Sequence, residues 1–377
     1  MPQSRLLTAL LVLLCLWPWS SVRAIDARLL PEGVLRVRLY ESWYQGDQAY
    51  DATGQRRPLG QTGLDKLASN GVPTSVAGAY AIRNNAHSAL QRTDITIDYG
   101  FNHALDLGVW IPVIAPLFTQ SATLSRQAGF SALTATQQGT VAAAVARLNG
   151  ANADQRALGD VFVGVKGGIV GTDNTPFRFS LGGGVRLPTG HVANPLDPHD
   201  IATGDGQWDL SLWSWTDFRL RDDFLINLHT RHDYGLPGHQ DTLLPSDPTH
   251  AAGMRFQPGL HHYVQLEPQW RLPLEKVELL PSLFVIYDRQ ERGWQQGFDA
   301  TRAAFAGPLL PADGTDWQRL MIKPTFGVNL IPSGLPMALY LSCGRAVWGR
   351  NTPEVGLVEL RMDFFFDATG KRSPVRP

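Results

Sequence analysis

The sequence predicts an all-β fold, an antiparallel up-and-down transmembrane β-barrel of about twelve strands with a short helix in a long external loop. Three observations carry this expectation. Strict apolar-polar alternation recurs in segments of about nine to 14 residues, the length a tilted membrane strand needs. The connections between segments alternate short and long without a break. The last segment ends on a run of aromatic residues.

Residues 1–24 read as a secretory signal peptide: Arg5 near the start, an apolar run from Leu6 to Trp17, and Val22 and Ala24 at a small-residue cleavage site. That run is short for a membrane-spanning helix, which needs about 20 residues. Cys15 lies inside it with no small residue before it, so a lipoprotein anchor is disfavoured. The barrel is expected over residues 25–366, followed by a polar tail at 367–377.

Alternation places strands at 34–44, 93–101, 104–114, 158–170, 177–187, 206–219, 224–235, 258–272, 276–289, 317–330, 336–346 and 354–366. Tight turns join alternate pairs: "NH", "GTDNT", "LRDD", "PLE" and "IPSGL". The other connections, 45–92, 115–157, 188–205, 236–257 and 290–316, are long, and 347–353 is shorter. Outer-membrane barrels are built this way, with tight periplasmic turns and long external loops, whereas a soluble sandwich has no reason to obey the rule.

Each strand splits into a lipid face and a lumen face. In "LHHYVQLEPQWRL", Leu260, His262, Val264, Leu266, Trp270 and Leu272 oppose His261, Tyr263, Gln265, Glu267 and Arg271. In "WDLSLWSWTDFRL", Trp208, Leu210, Leu212, Phe218 and Leu220 oppose Asp209, Trp213, Trp215, Asp217 and Arg219. Aromatics near both ends of the apolar face fit the interfacial girdles of a membrane barrel. The same parity sends charges of both signs inward, from Asp94 to Asp363, where they are expected to pair across strands. The final strand, "VGLVELRMDFFF", resembles the aromatic-ended strand that the barrel-assembly machinery reads, although a polar tail follows it here.

Two loops carry further expectations. Residues 134–150 have helical composition, with Val141, Val145 and Leu148 on one side, and are expected to cap the barrel or fold into its mouth. Residues 45–92, rich in Gly, Gln and Arg, are open between a disordered loop and one that fills the lumen.

Composition narrows the function classes. With 33 basic and 34 acidic residues there is no electrostatic case for nucleic acid. Cys343 is the one cysteine after the leader, so no intramolecular disulfide forms. The longest apolar stretch after the leader, Leu107–Phe118, carries two prolines and makes no transmembrane helix. Membrane lipid and lipopolysaccharide are the expected surroundings.

Asn194, Asp197, His199, Asp200 and Asp205 could offer oxygen ligands to calcium, but the twelve-residue loop pattern and terminal Glu are missing, and turn chemistry accounts for the composition. His229 and His232 are three apart in a strand and point to opposite faces, which argues against a shared zinc. An outer-membrane hydrolase would need an outward Ser and His; Ser214 and His262 are the best candidates, yet their strands are not neighbours and no nucleophile motif surrounds any serine. No metal, cofactor or catalysis is expected. The candidate binding residues are lumen-facing: Trp110, Lys166, Arg186, Asp209, Trp213, Trp215, Arg231 and Tyr263. Aromatic and guanidinium side chains suit a passing aromatic molecule through stacking and cation-π contact.

Three short motifs add a resemblance. They are Leu158-Gly159-Asp160 opening a strand with inward Lys166, Leu187-Pro188-Thr189-Gly190 leaving the next, and Gly204-Asp205-Gly206 re-entering. Over residues 157–235 the chain resembles a family of outer-membrane barrels named for the meta-pathway of phenol degradation, distantly like the long-chain fatty-acid transporter. The resemblance implies passive uptake of small hydrophobic or aromatic solutes. A structural or surface-interaction barrel with a filled lumen is the alternative, and the hydrolase comes third.

Overall fold

The computed structural model describes residues 27–69, 74–150, 153–154, 156–171, 175–197, 200–244 and 247–368. The leader and most of the polar tail lie outside the described residues.

Twelve strands form one closed antiparallel barrel. They are β1 (Val34–Tyr50), β2 (Tyr80–Asn102), β3 (Leu105–Arg126), β4 (Val161–Val170), β5 (Phe177–Leu187), β6 (Asp209–Arg221), β7 (Phe224–Gly235), β8 (His261–Trp270), β9 (Glu278–Gln290), β10 (Trp317–Asn329), β11 (Met337–Arg350) and β12 (Thr352–Asp367). Each pairs with the next, and β12 returns to β1 from Val34↔Asp367 to Tyr50↔Thr352. Closure leaves the wall with no unpaired edge, which a bilayer requires.

The burial pattern says which solvent surrounds the wall. Leu212 and Leu220 on the outside are 58% and 61% exposed, whereas Asp217 and Asp363 on the inside are 1% and 0% exposed. Water would impose the reverse. No described helix is long and apolar enough to cross a membrane, and the strands make the crossing. The chain is therefore an outer-membrane β-barrel, with its tight turns at the periplasmic end.

The long connections depart from expectation. β2 and β3 are 23 and 22 residues long, about twice what a tilted crossing needs. Their outer halves and the end of β1 continue past the rim as paired strand, so much of 45–92 and 115–157 is not loop. Two helices pack on this extension, α1 (Leu59–Ser69) against β1 and β2, and α2 (Ala135–Gly150) against β3. Leu64, Tyr80, Ile82, Ala122, Phe130, Val141 and Leu148 form their common core. Asn149 pins α2 to the strand by pairing with both the N–H (2.7 Å) and the carbonyl (2.9 Å) of Ala122. Among the described residues, neither helix contributes a lining residue to the lumen cavities described below. The apolar side of α2, read from Val141 and Leu148, is thus spent on the extended hairpin.

The connection from β11 to β12 shrinks to Asn351 alone, in the left-handed region at φ 50°, a conformation Asn tolerates better than most residues. Beyond the rim, Gly238–Leu244, Asp247–Gln257, Trp294–Asp299 and Ala304–Pro311 form a small second sheet. It joins the connections after β7 and β9 through Phe256↔Gln295.

Before β1 the chain enters the periplasmic end of the lumen. The Ala27 N–H donates to Asp217 (3.1 Å), and the Leu30 N–H donates to both oxygens of Asp106 (3.0 and 3.1 Å). Lys166 Nζ donates to the Arg28 carbonyl (2.6 Å), and the Ser180 hydroxyl donates to the Ala27 carbonyl. Leu30 packs with Ile331 and Phe365. Inward side chains of four strands thus hold a non-strand segment as a plug.

Candidate functional site

Period-2 geometry sends Phe162 of β4, Trp213 and Trp215 of β6, His229 and Arg231 of β7 and Tyr263 of β8 into the lumen. Register sets them in rows, Trp213↔Arg231↔Tyr263 and Trp215↔His229↔Gln265. The rings touch in sequence around the wall. Phe162 stacks on Trp213 (4.3 Å between centroids), Trp213 meets Trp215 edge-on (5.7 Å), Trp215 stacks on His229 (5.1 Å), and His229 leans on Tyr263 (5.7 Å). Glycines make room for them. A Cβ on Gly184 would stand 2.4 Å from the Phe162 ring, and one on Gly182 would stand 2.9 Å from the Trp215 ring. The "LGGGVRL" run of β5 is a bare bed on which large rings lie flat.

Cations edge this wall. Lys166 Nζ lies 4.7 Å from the Trp215 centroid. The Arg231 guanidinium stands between Trp110 (5.8 Å) and Tyr263 (5.5 Å), and Arg92 lies 5.1 Å from Trp110. The Trp110 indole N–H donates to Asp94 (2.8 Å), which also pairs with Arg92 (2.9 Å). These contacts fix ring orientations that loose aromatics would not hold.

The facing wall carries an apolar patch, with Asp288, Arg319, Lys323 and Glu359 beside it. Phe284, Ile286, Met321 and Leu357 pack together with Tyr44 and Tyr263, and the two walls enclose a cavity of about 380 Å³. Sequence reasoning missed these four. The signal was present in β9, where "LLPSLFVIY" is apolar on both faces: a membrane strand apolar on its inner face also implies an apolar lumen.

Arg92, Trp110, Phe162, Trp213 and Arg231 line this cavity and also a second one of about 350 Å³ toward the outside, so they form the neck between the two. The three sequence motifs meet at the outer cavity. Asp160 accepts from the Gly190 N–H (2.8 Å) and the Asp205 N–H (3.3 Å), Thr189 donates to the Gly159 carbonyl (2.9 Å), and Thr203 donates to the Leu158 carbonyl (2.7 Å). The motifs build a rim knot. Burial pushes the Asp160 carboxyl above its ordinary value, against the pull of the Gly190 N–H.

Toward the periplasm the free space beside Arg28, Arg178, Arg271 and Tyr340 falls to about 20 Å³, room for a single water. Buried ion pairs fill the rest, among them Arg178–Asp217 (2.7 Å) and Arg271–Glu278.

Of the predicted site residues, Trp110, Lys166, Trp213, Trp215, Arg231 and Tyr263 line the central cavity together. Arg186 lines the outer one, paired to Asp205 (3.2 Å), and Asp209 is buried behind it as its second partner. His229 and His232 do point to opposite faces: His229 stacks on Trp215, and His232 bonds His262 (2.9 Å). Ser214 shares its hydroxyl hydrogen bond with Thr230 (2.8 Å) and is not brought to His262. His199 of the calcium candidates lies outside the described residues. Asp200 is spent within the loop on His191 (2.6 Å) and the Asn194 N–H (2.7 Å). Among the described residues no cluster of His, Cys, Asp or Glu is suited to a metal.

The geometry defines an outer-membrane barrel with an aromatic lumen cavity and a plugged periplasmic end. No protein-family profile and no curated protein sequence matches the chain. Solved structures do. The COG4313 outer membrane channel from Pseudomonas putida F1 is similar over 92% of this chain and 100% of its own, with 14% identity and a TM-score of 0.57, which establishes the shared fold. The β domain of the Bordetella autotransporter BrkA (10% identity, 86% and 98% covered, TM-score 0.40) lies below the level at which a shared fold follows. So does the TodX toluene transporter of Pseudomonas putida (5% identity, 90% and 90% covered, TM-score 0.35).

Proposed function

We propose that this barrel is an outer-membrane channel or transporter that takes up small hydrophobic or aromatic solutes passively, without chemistry. One observation carries the reading: a continuous set of rings from Phe162 to Tyr263 faces the apolar patch of Phe284, Ile286, Met321 and Leu357 across a cavity of about 380 Å³. A water or ion pore has no use for such a surface, whereas an apolar solute gains burial and stacking there. The barrel whose fold it shares is itself described as an outer membrane channel. Solute enters by the outer cavity, passes the neck at Trp110 and Trp213, and rests between the walls.

The test is uptake of benzyl alcohol or toluene by vesicles carrying the full chain. Uptake above that of protein-free vesicles is expected, and Trp213→Ala should weaken solute binding about tenfold, the worth of one good stacking partner plus its buried area. The plug favours a second reading, a structural barrel with a filled lumen. Absence of both binding and flux for every apolar solute tried would decide for it.

A further inference from the structure

The outer cavity has a chemistry that a passing hydrocarbon does not use. Asp160, Asp205, Asp233, Arg92, Arg186 and Arg231 line it beside the rings of the neck. These charges are met inside the protein. Arg186 pairs with Asp205 (3.2 Å) and Asp209, Arg231 with Asp233 (3.0 Å), and Arg92 with Asp94 (2.9 Å), while Asp160 takes the Gly190 and Asp205 N–H groups. A charged solute would meet like charge whatever its sign, and would have to break one of these pairs to gain a partner, which is costly. A neutral polar group leaves every pair intact.

Arg186 and Asp205 stay within reach of such a group, with side chains 40% and 34% exposed. Both ion pairs of Arg186 run through Nη2, which leaves Nη1 with no partner among the described residues. Asp205 accepts from Arg186 at Oδ2 and from the Gln207 N–H at Oδ1 (2.9 Å), and each oxygen keeps a second lone pair. A donor and an acceptor therefore stand side by side. A hydroxyl both donates and accepts, so two hydroxyls on neighbouring carbons can give to Asp205 and take from Arg186 together. Arg186 is also the direct cross-strand partner of Phe162, the ring that stacks on Trp213, so this polar grip adjoins the aromatic wall. We propose that the solute is a neutral aryl glycoside, with its sugar hydroxyls on Arg186 and Asp205 in the outer cavity and its aromatic ring on the Phe162–Trp213–Trp215 wall. This deepens the uptake reading and rests on it. The cavities of about 350 and 380 Å³ each have the size of a small-molecule site, and the neck joins them. A plain aromatic forgoes the hydroxyl bonds, and a free sugar forgoes the stacking.

The experiment compares phenyl glucoside, benzyl alcohol and glucose, binding each to the full chain in nanodiscs and reading tryptophan fluorescence and calorimetry. Phenyl glucoside should bind about tenfold tighter than benzyl alcohol or more, the worth of a hydrogen bond to a charged group, and glucose should bind more weakly than the glucoside. Asp205→Asn keeps an acceptor for the Gln207 N–H but turns half of the carboxylate into a donor, and should bring the ratio of glucoside to benzyl alcohol affinity near one; Asp205→Glu should keep part of it. Trp213→Ala should weaken both aromatic compounds and leave their ratio in place. Resistance of each variant to unfolding by SDS without heating checks that the barrel has formed. Benzyl alcohol binding as tightly as the glucoside, glucose binding as tightly as the glucoside, or a ratio unchanged by Asp205→Asn overturns the glycoside assignment while the uptake reading stands. Failure of all three compounds to bind overturns both.

Discussion

The middle of the lumen and its periplasmic end are built from the same twelve strands, yet one is open and the other is filled. In the middle, Gly164, Gly182 and Gly184 withhold side chains so that Phe162, Trp213 and Trp215 can lie against the wall, and space remains between them and Phe284, Ile286 and Met321. At the periplasmic end, Arg178, Asp217, Asn227, Arg271 and Glu278 interlock, and Ala27–Leu30 takes up what is left. Strand number sets the size of a barrel, but side chains and inserted chain decide what fits inside it. Glycines opposite aromatics keep a cavity; long paired charges remove one.

Deleting residues 27–33 tests this contrast most directly and carries the largest expected effect. With the plug gone, single-channel conductance in planar bilayers should rise on the order of tenfold, because the narrowest part of the path would widen from one water to several. Unchanged conductance would move the constriction to the neck at Trp110 and Trp213. A smaller effect is expected of the ion pairs. Arg178→Ala removes the charge partner of Asp217 in a dry setting, where the side chains are 4% and 1% exposed, leaves the neutral Ala27 N–H and Asn227 amide beside the carboxylate, and should cost about 3 kcal/mol in urea unfolding from lipid vesicles. Arg92→Ala acts on a pair beside the open cavity, with Arg92 28% exposed, and should cost about 1 kcal/mol or less. Equal losses would mean that the two ends of the lumen are equally dry.

The barrel was legible in the sequence wherever lipid lay on one side and the lumen on the other. That asymmetry forces alternation, and it fixed the inward set of β6 and β8 residue by residue: Asp209, Trp213, Trp215 and Asp217, then Tyr263, Gln265 and Glu267. Alternation fades where the asymmetry does. The outer half of β2, "YAIRNNAHSALQ", has no lipid beside it, so its strand character does not show as a period of two. The same holds for the end of β1 and for the second external sheet. Phe284 and Ile286 escaped because β9 is apolar on both faces, and parity cannot rank two apolar faces. The plug escaped because "ARLLPEG" acquires its role from Asp217, Ser180, Lys166 and Asp106, which lie far along the chain and converge only on closure. Cross-strand partners such as Arg38 with Asp98 likewise depend on register.

The rim knot lies outside the contrast between the two parts of the lumen and sharpens it, since the outer cavity stays open only while residues 188–208 are tied down. Asp160 is the tie, with Asp205 and Arg186 as its charged neighbours. Its carboxyl is raised in the docked loop, so between its ordinary value and the raised one the docked form binds more protons than the undocked form. Docking therefore strengthens as pH falls through that window, weakens as pH rises through it, and levels off above it. The effect is the smallest of the set, because the group is partly hydrated and Arg186 offsets part of the repulsion from Asp205. Limited proteolysis of the loop should run about threefold slower near pH 5 than near pH 7.5, after correction for the protease's own pH dependence. Asp160→Asn keeps an acceptor for the Gly190 N–H and should abolish the difference. A loop cut faster at low pH would mean that the carboxylate, and not its protonated form, holds the knot, and that the outer cavity is tied by charge pairing with Arg186.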